Sequence, residues 1–142
     1  MAKPPYVVLL GDVGVGKSAI FEQLTGLTGR SGHAVTSTTL TSEIAESWDG
    51  RLIIADTPGA NAMDDNFEHC LHIAQSMNIR PVTCVLLVVR ADHRMDNVMS
   101  NVRKYAERFY TNFPSNLFGV CVTHMDTVTW TEHDFLLHVK EE

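Results

Sequence analysis

The residues with the clearest chemical potential form a run near the N-terminus, Gly11-Asp12-Val13-Gly14-Val15-Gly16-Lys17-Ser18. This run matches every fixed position of the pattern G-x-x-x-x-G-K-[ST]. Glycines let the backbone turn so tightly that successive N–H groups point at phosphate oxygens, and the helix that follows adds its positive N-terminal end. Lys17 supplies a positive charge for terminal phosphates, and the Ser18 hydroxyl is a ligand for Mg²⁺. The run therefore predicts a polyphosphate cradle formed by the amides from Val13 to Ala19.

A second candidate motif, Asp56-Thr57-Pro58-Gly59, directly follows the apolar run Leu52–Ala55. An aspartate at the carboxyl end of a strand lies in the ligand crevice of an open α/β sheet. Asp56 is therefore expected to support Mg²⁺ through water. The Gly59 N–H is expected to contact a γ phosphate, which only a triphosphate has. The motif predicts a site that distinguishes triphosphate from diphosphate.

A third motif, Thr123-His124-Met125-Asp126, follows the apolar run Leu117–Val122. The Asp126 carboxylate can accept hydrogen bonds from N1 and the exocyclic N2 of guanine. Adenine offers neither donor, and a site built around such polar pairs strongly rejects the wrong base. The His124 ring can lie against the purine face. We therefore expect the loop from Thr123 to Asp126 to bind guanine.

These motifs need elements that place them side by side. Runs that are apolar throughout, typical of strands covered on both faces, are Tyr6–Leu10, Leu52–Ala55, Val82–Val89 and Leu117–Thr123. Helical spacing between them puts Phe67, Leu71, Ala74 and Met77 on one face, and Val98, Val102, Tyr105 and Phe109 on another. A shorter helix is expected near Thr131, where Thr131 and Asp134 resemble a capping pair. The alternation predicts an α/β fold with a mostly parallel sheet.

One connection departs from that alternation. Leu40 to Trp48 has the character of an edge strand, and Asp49-Gly50 is a hairpin turn signal before the next apolar run. We therefore expect one antiparallel edge strand. The preceding segment, Gly26 to Thr39, is rich in Gly, Ser and Thr and has no periodicity. Long loops in a compact domain are often functional, so it is either a ligand-dependent switch or an ordinary surface loop.

Composition narrows the classes of protein that the chain can represent. A length of 142 residues is typical of a single domain. The 11 basic and 17 acidic side chains give the chain a net charge of −6. That balance argues against nucleic-acid and anionic-membrane partners. The 3 cysteines, without CxxC spacing, predict neither a disulfide framework nor a Cys-rich zinc site. No apolar stretch has the length of a transmembrane helix or a signal peptide. The expected location is cytoplasmic, or peripheral on a membrane through regions outside this chain.

The order of P-loop, Thr-rich loop, hairpin, DTPG and TxxD resembles that of the P-loop GTPases. A T-x-x-D base motif resembles the septin-related branch, with the greatest likeness to the immunity-associated IAN/GIMAP and chloroplast import-receptor GTPases. The stretch Ala34-Val35-Thr36-Ser37-Thr38 resembles the V-T-x-T stretch of their first switch. The resemblance implies a GTP/GDP switch with Mg²⁺, in which Thr36 or Thr38 is a metal ligand that takes part in hydrolysis. It also implies a homodimer across the nucleotide face, with catalysis aided by the partner.

The chain departs from the pattern of the P-loop GTPases just after Gly59, the glycine of the DTPG motif. Ala60 stands where many small GTPases carry the glutamine that orients the attacking water, so slow hydrolysis is expected. Arg90, His93 and Arg94 follow a strand and are candidates to reach a partner's γ phosphate, Arg94 above all. The alternative is that they are solvated charges on a loop.

A second departure concerns the C-terminal part. After Asp126 there is room for one helix, so residues 1–142 are expected to form a single G domain without its last strand and helix. The leading hypothesis is a switch that hydrolyses GTP. Ala60 and the short C-terminal part favour an alternative, a nucleotide-gated interaction module with negligible turnover. A P-loop kinase is a third reading, against which the DTPG motif, the hairpin and the lack of a basic lid speak.

Overall fold

Five strands and three helices make up the computed structural model, which describes residues 3–27, 43–57, 81–112 and 115–140. The strands are β1 (Tyr6–Leu10), β2 (Glu43–Glu46), β3 (Ile53–Asp56), β4 (Cys84–Arg90) and β5 (Phe118–Thr123). The helices are α1 (Lys17–Thr25), α2 (Met95–Asn112) and α3 (Glu132–Lys140), and short 3₁₀ turns occupy Ser115–Leu117 and Met125–Thr127.

The strands form one mixed sheet in the order β2-β3-β1-β4-β5. Strand β1 is parallel to both of its neighbours, and β4 is parallel to β5, whereas β2 is antiparallel to β3. The predicted α/β fold with one antiparallel edge strand is therefore confirmed. Because β1 is central, the loop that leaves its carboxyl end has strands on both sides.

The core explains why these strands are apolar throughout. On one face of the sheet, Tyr6, Val8 and Leu10 are buried in a cluster that includes Val98 and Val102 of α2. On the other face, a second cluster contains the following buried residues: Leu9, Phe21, Ile54 and Val88. Helices thus cover both faces of the central strands, so neither face carries the polar residues that a solvent-facing side would show.

The β2–β3 hairpin forms at the predicted turn. Gly50 has φ 70°, and its N–H donates to the Ser47 carbonyl at 2.9 Å. The Ser47 hydroxyl donates to the Asp49 carboxylate at 2.7 Å and also accepts the Leu52 N–H at 3.0 Å. These bonds fix the antiparallel register, in which Glu46 lies opposite Ile53.

Glycines flank the first helix. Helix α1 begins at Lys17 and ends at Thr25, where Gly26 adopts φ 75° and donates its N–H to the Glu22 carbonyl at 2.8 Å. The predicted cap of α3 is confirmed, because Asp134 accepts the Thr131 N–H at 2.8 Å. The helix predicted from Phe67 to Met77 and most of the predicted loop, residues 28–39, lie outside the described residues.

The cysteines in the described part of the chain belong to the sheet. Cys84 and Cys121 are free thiols on β4 and β5, and burial raises the pKa of both. Both thiols are half-buried within the apolar strands of the sheet. Within the described residues, no helix combines the length and apolar character needed to cross a bilayer.

Candidate functional site

The loop between β1 and α1 depends on glycine at its entrance and exit. Gly11 has φ 155°, and a Cβ there would lie 2.4 Å from the carbonyl oxygen of Val88 on β4. No other residue fits such a close approach of two backbones. Gly16 has φ 103°, a left-handed conformation that turns the chain directly into α1 at Lys17. The helix N-terminus therefore faces back over the loop.

Lys17 closes the loop from inside. Its side chain is only 6% exposed, and Nζ donates to the carbonyl oxygens of Gly11 and Asp12, both at 2.8 Å. These bonds hold a positive charge beside the backbone amides that follow. The three N–H donors of an ammonium point in tetrahedral directions. The two bonds to the carbonyls of the loop therefore also fix the orientation of the Lys17 ammonium toward a bound anion. The structure thus places the predicted phosphate-binding lysine within the P-loop.

Ser18 at the start of α1 and Asp56 at the end of β3 are joined by a hydrogen bond. The parallel register sets Asp56 of β3 opposite Leu9 of β1, at the carboxyl ends of both strands. Asp56 is 2% exposed, and its Oδ2 accepts the Ser18 hydroxyl at 2.8 Å. Residues separated by 38 positions in sequence are therefore joined at the predicted metal position.

The chemistry of this pair fits Mg²⁺. Mg²⁺ prefers oxygen ligands in octahedral geometry and keeps several waters, so it uses one or two protein oxygens together with substrate phosphates. A hydroxyl and a carboxylate beside a phosphate cradle are such a donor set. Among the described residues, no group of three or more His, Cys, Asp or Glu side chains forms an all-protein metal cage.

Thr57 has a structural role that the sequence does not reveal. It is fully buried, and its hydroxyl donates to the Leu9 carbonyl at 2.6 Å. This bond ties the end of β3 to the end of β1 and so positions the adjacent Asp56. The predicted contacts of Gly59, Thr36 and Thr38 lie outside the described residues and stay predictions.

The predicted base motif begins with a contact to the P-loop. The Thr123 hydroxyl donates to the Val15 carbonyl at 2.7 Å, and the Val89 carbonyl oxygen lies 3.3 Å from the same hydroxyl oxygen. Thr123 therefore fixes the P-loop against β4 and β5. The sequence places it in the base motif but gives no indication of this contact.

The rest of the base motif forms an exposed 3₁₀ turn. His124 adopts φ 58°, and the Thr127 hydroxyl donates to its carbonyl at 2.6 Å. The His124 Nδ1 lies 3.0 Å from the Thr123 hydroxyl. Asp126 is exposed within this 3₁₀ turn, which follows Thr123 closely in the chain. The structure therefore brings Thr123 next to the phosphate cradle, and the guanine contacts of His124 and Asp126 stay predictions.

Arg94 lies in the exposed loop between β4 and α2. Its N–H donates to the Asp92 carboxylate at 2.8 Å, and the Asn97 amide donates to the same oxygen at 3.1 Å. These two bonds hold the pKa of the Asp92 carboxyl below its ordinary value. Arg90 and His93 line an open cleft of about 470 Å³ beside this loop. No described contact joins the Arg94 side chain to the P-loop of its own chain.

Sequence reasoning also missed a tether between α2 and the P-loop. The phenol of Tyr105 donates to the Asp12 carboxylate. Helical spacing places Tyr105 on the apolar face of its helix, where it is indeed 2% exposed. Nothing in the spacing of two residues 93 positions apart signals such a bond.

Residues 6–120 match the family model described as 50S ribosome-binding GTPase. Since this match covers more than half of the 142 residues, the chain belongs to that family and contains a P-loop GTPase domain. No curated protein is similar enough in sequence to count as a relative.

Solved structures show the same fold at low sequence identity. NFeoB from S. thermophilus bound to GDP·AlF4⁻ and K⁺ is 20% identical with a TM-score of 0.63, and covers 87% of this chain and 45% of its own. A glutamate-to-alanine variant of NFeoB bound to GDP·AlF4⁻ is 18% identical with a TM-score of 0.62, and covers 97% and 49%. A variant of SsGBP is 13% identical with a TM-score of 0.64, and covers 97% and 45%. The chain thus spans about half the length of these structures.

Proposed function

We propose that this protein is a guanine-nucleotide switch that binds GTP and GDP with Mg²⁺ and hydrolyses GTP slowly. The observation that carries the proposal is the Ser18–Asp56 hydrogen bond of 2.8 Å beside a P-loop whose lysine is already held in place. Membership of a GTPase family supports the choice of nucleotide. We also propose that residues 1–142 act as a single G domain.

The described residues have distinct roles in this proposal. The amides from Val13 to Ala19 bind the phosphates, and Lys17 offsets their charge. Ser18 and Asp56 hold Mg²⁺, which when bound neutralises charge on the β and γ phosphates. Asp126 accepts hydrogen bonds from guanine, with His124 against the purine face. We propose the remaining contacts, from Thr36 or Thr38 to the metal and from Gly59 to the γ phosphate, on the sequence alone.

The proposed hydrolysis is slow because phosphoryl transfer depends on positioning and electrostatic stabilisation. Ala60 cannot orient the attacking water. We propose that a second copy binds across the nucleotide face and supplies Arg94, which lies on an exposed loop and makes no described contact with its own P-loop. An arginine supplied in trans accelerates known systems by about 10³ to 10⁵. The septin-related branch and a cytoplasmic or membrane-peripheral location complete the proposal.

The binding test is calorimetric titration with GTP, GDP and ATP, each with and without Mg²⁺. We expect binding of GTP and GDP, a preference for GTP over ATP, and a gain in GTP affinity with Mg²⁺. Preference for ATP would contradict the guanine assignment and favour a P-loop kinase. Equal GTP affinity with and without Mg²⁺ would contradict the metal roles of Ser18 and Asp56.

The turnover test is single-turnover GTP hydrolysis measured over a range of protein concentrations. A rate that rises with concentration, and that Arg94→Ala abolishes while GTP affinity is unchanged, is the expected result. The neighbouring exposed charge supplies a matched control, Asp96→Asn, which should leave the concentration dependence intact. No cleavage at any concentration would contradict hydrolysis and favour a nucleotide-gated interaction module.

A further inference from the structure

The tip of the P-loop, Val13 and Gly14, lies between two side-chain anchors. On one side the Tyr105 phenol donates to the Asp12 carboxylate, and on the other the Thr123 hydroxyl donates to the Val15 carbonyl at 2.7 Å. The tip itself is exposed, with Val13 at 51%. Its conformation is therefore set at its two ends.

The Tyr105 anchor is rigid because the residue is part of the core. Tyr105 is 2% exposed and packs in the same buried cluster as Val98, Val102 and Leu10. Its hydroxyl group reaches out of that cluster to the half-buried Asp12. A phenol held by packing fixes a carboxylate at little further entropic cost, and hydrogen bonds to charged groups are among the strong ones.

Asp12 connects this anchor to the lysine. Its side chain accepts the Tyr105 phenol, while its backbone carbonyl accepts Lys17 Nζ at 2.8 Å. The same residue therefore carries a negative charge at the entrance of a site for a polyanion. A carboxylate that swung toward the phosphates would repel them, because like charges in a partly desolvated site interact strongly.

We propose that Tyr105 is a positioning residue for nucleotide binding: it holds the Asp12 carboxylate toward α2, and thereby fixes the P-loop in the conformation that receives phosphates. The proposal rests on the proposed function of this site.

The test is a set of variants, Tyr105→Phe, Asp12→Asn and the double variant, with GTP affinity as the measurement. Tyr105→Phe should weaken GTP binding about tenfold, the size expected for losing one hydrogen bond to a charged group. Asp12→Asn should have a smaller effect, because the amide oxygen still accepts from the phenol and no charge is left to repel phosphate. The double variant should bind GTP better than Tyr105→Phe does. GTP affinity unchanged in Tyr105→Phe, or losses that simply add, would overturn the proposal.

A matched control separates positioning from general stability. Tyr6→Phe makes the same chemical change in the same buried cluster, at the end of β1 away from the P-loop. It should alter the midpoint of urea unfolding without altering GTP affinity. If Tyr6→Phe and Tyr105→Phe weaken GTP binding equally, Tyr105 acts through stability alone and the proposal is wrong.

A measurement without nucleotide distinguishes failure of this proposal from failure of the proposed function. Hydrogen exchange of the Val13 to Gly16 amides should be faster in nucleotide-free Tyr105→Phe than in the unmodified protein, while exchange in β1 stays the same. If the unmodified protein bound no GTP, the proposed function and the positioning role would both fall, and faster exchange would leave only a structural tether. If the unmodified protein bound GTP normally but amide exchange in Tyr105→Phe were unchanged, only the positioning role would be overturned.

Discussion

The candidate site has a phosphate end, which contains Lys17 and Asp56, and a base end, which contains His124 and Asp126. The two ends differ in burial and in how their residues are hydrogen-bonded. At the phosphate end, Lys17 and Asp56 are buried and hydrogen-bonded to other parts of the loop or sheet. At the base end, His124 and Asp126 lie exposed on a 3₁₀ turn whose bonds are mostly local, such as that of Thr127 to His124. Only Thr123 ties this turn to the P-loop in the described part of the chain.

This difference indicates where the affinity for a nucleotide resides. Groups that are already oriented and partly desolvated bind a ligand without paying to become ordered, and their electrostatic contacts are strong. An exposed turn contributes less to affinity, but its carboxylate can still select one base over another. We therefore expect the phosphate end to determine how tightly nucleotide binds, and the base end to determine which nucleotide is preferred.

The largest expected effect is that of Lys17→Ala. Loss of a buried ammonium removes charge-assisted bonds to phosphate, each worth about 1.5–3 kcal/mol, so affinity for GTP should fall at least about 100-fold. ATP affinity should fall in the same proportion, because the lysine does not contact the base. Calorimetric titration measures both constants.

Lys104→Ala is the matched control for that loss, since Lys104 is an exposed lysine on α2. It should bind GTP as the unmodified protein does. If Lys17→Ala kept normal GTP affinity, the phosphate end would not dominate binding and the comparison of the two ends would be wrong.

Asp126→Ala should have a smaller and more selective effect. Removing the carboxylate loses two hydrogen bonds to guanine and none to adenine. Because Asp126 is exposed, each bond is worth only about 0.5–1.5 kcal/mol, so GTP affinity should fall about tenfold or somewhat more while ATP affinity is unchanged. The measurement is the ratio of the two dissociation constants. Asp96→Asn on α2 is the control, and an equal loss for both nucleotides in Asp126→Ala would show that Asp126 acts on the turn and not on the base.

The same contrast governs how much the sequence could predict. The P-loop, the position of Asp56 after a strand and the alternation of strands and helices follow from local pattern, because a glycine run between a buried strand and a helix has few physical alternatives. The antiparallel edge strand was predictable from Asp49-Gly50, whose turn geometry fixes the direction of the returning chain. These elements carry their own conformational preferences, so no distant contact had to be known.

The contacts that join distant elements were not predictable. The spacing of Tyr105 is fully explained by the apolar face of α2, so nothing in the sequence indicates that its hydroxyl makes a hydrogen bond. Asp12 occupies a variable position of the P-loop pattern, so the pattern does not predict its partner either. Thr57 and Thr123 sit inside recognised motifs, yet the Thr57 hydroxyl bonds to the backbone of β1 and the Thr123 hydroxyl to the backbone of the P-loop. Such bonds depend on which strands are adjacent, and that information is not local to any motif.

Thr131→Ala should have the smallest effect and should spare the nucleotide. The Thr131 hydroxyl donates to the Asp134 carboxylate at 3.1 Å and accepts the Asp134 N–H at 3.4 Å, and losing these cap bonds lowers the free energy of unfolding by about 1 kcal/mol. The bond from the Thr131 backbone N–H to Asp134, at 2.8 Å, remains in the variant. The Thr131 N–H and hydroxyl lower the pKa of the Asp134 carboxyl from its ordinary 3.8, so the cap contributes fully above that value and is lost as the pH falls through the lowered one. Urea unfolding should therefore show a difference between the two proteins at pH 7 that narrows at pH values below 3.8. Because Thr131 follows the base turn in the chain and bonds to Asp134 of α3, GTP affinity should not change. A loss of GTP affinity comparable to that of Asp126→Ala would mean that the helix supports the base end directly.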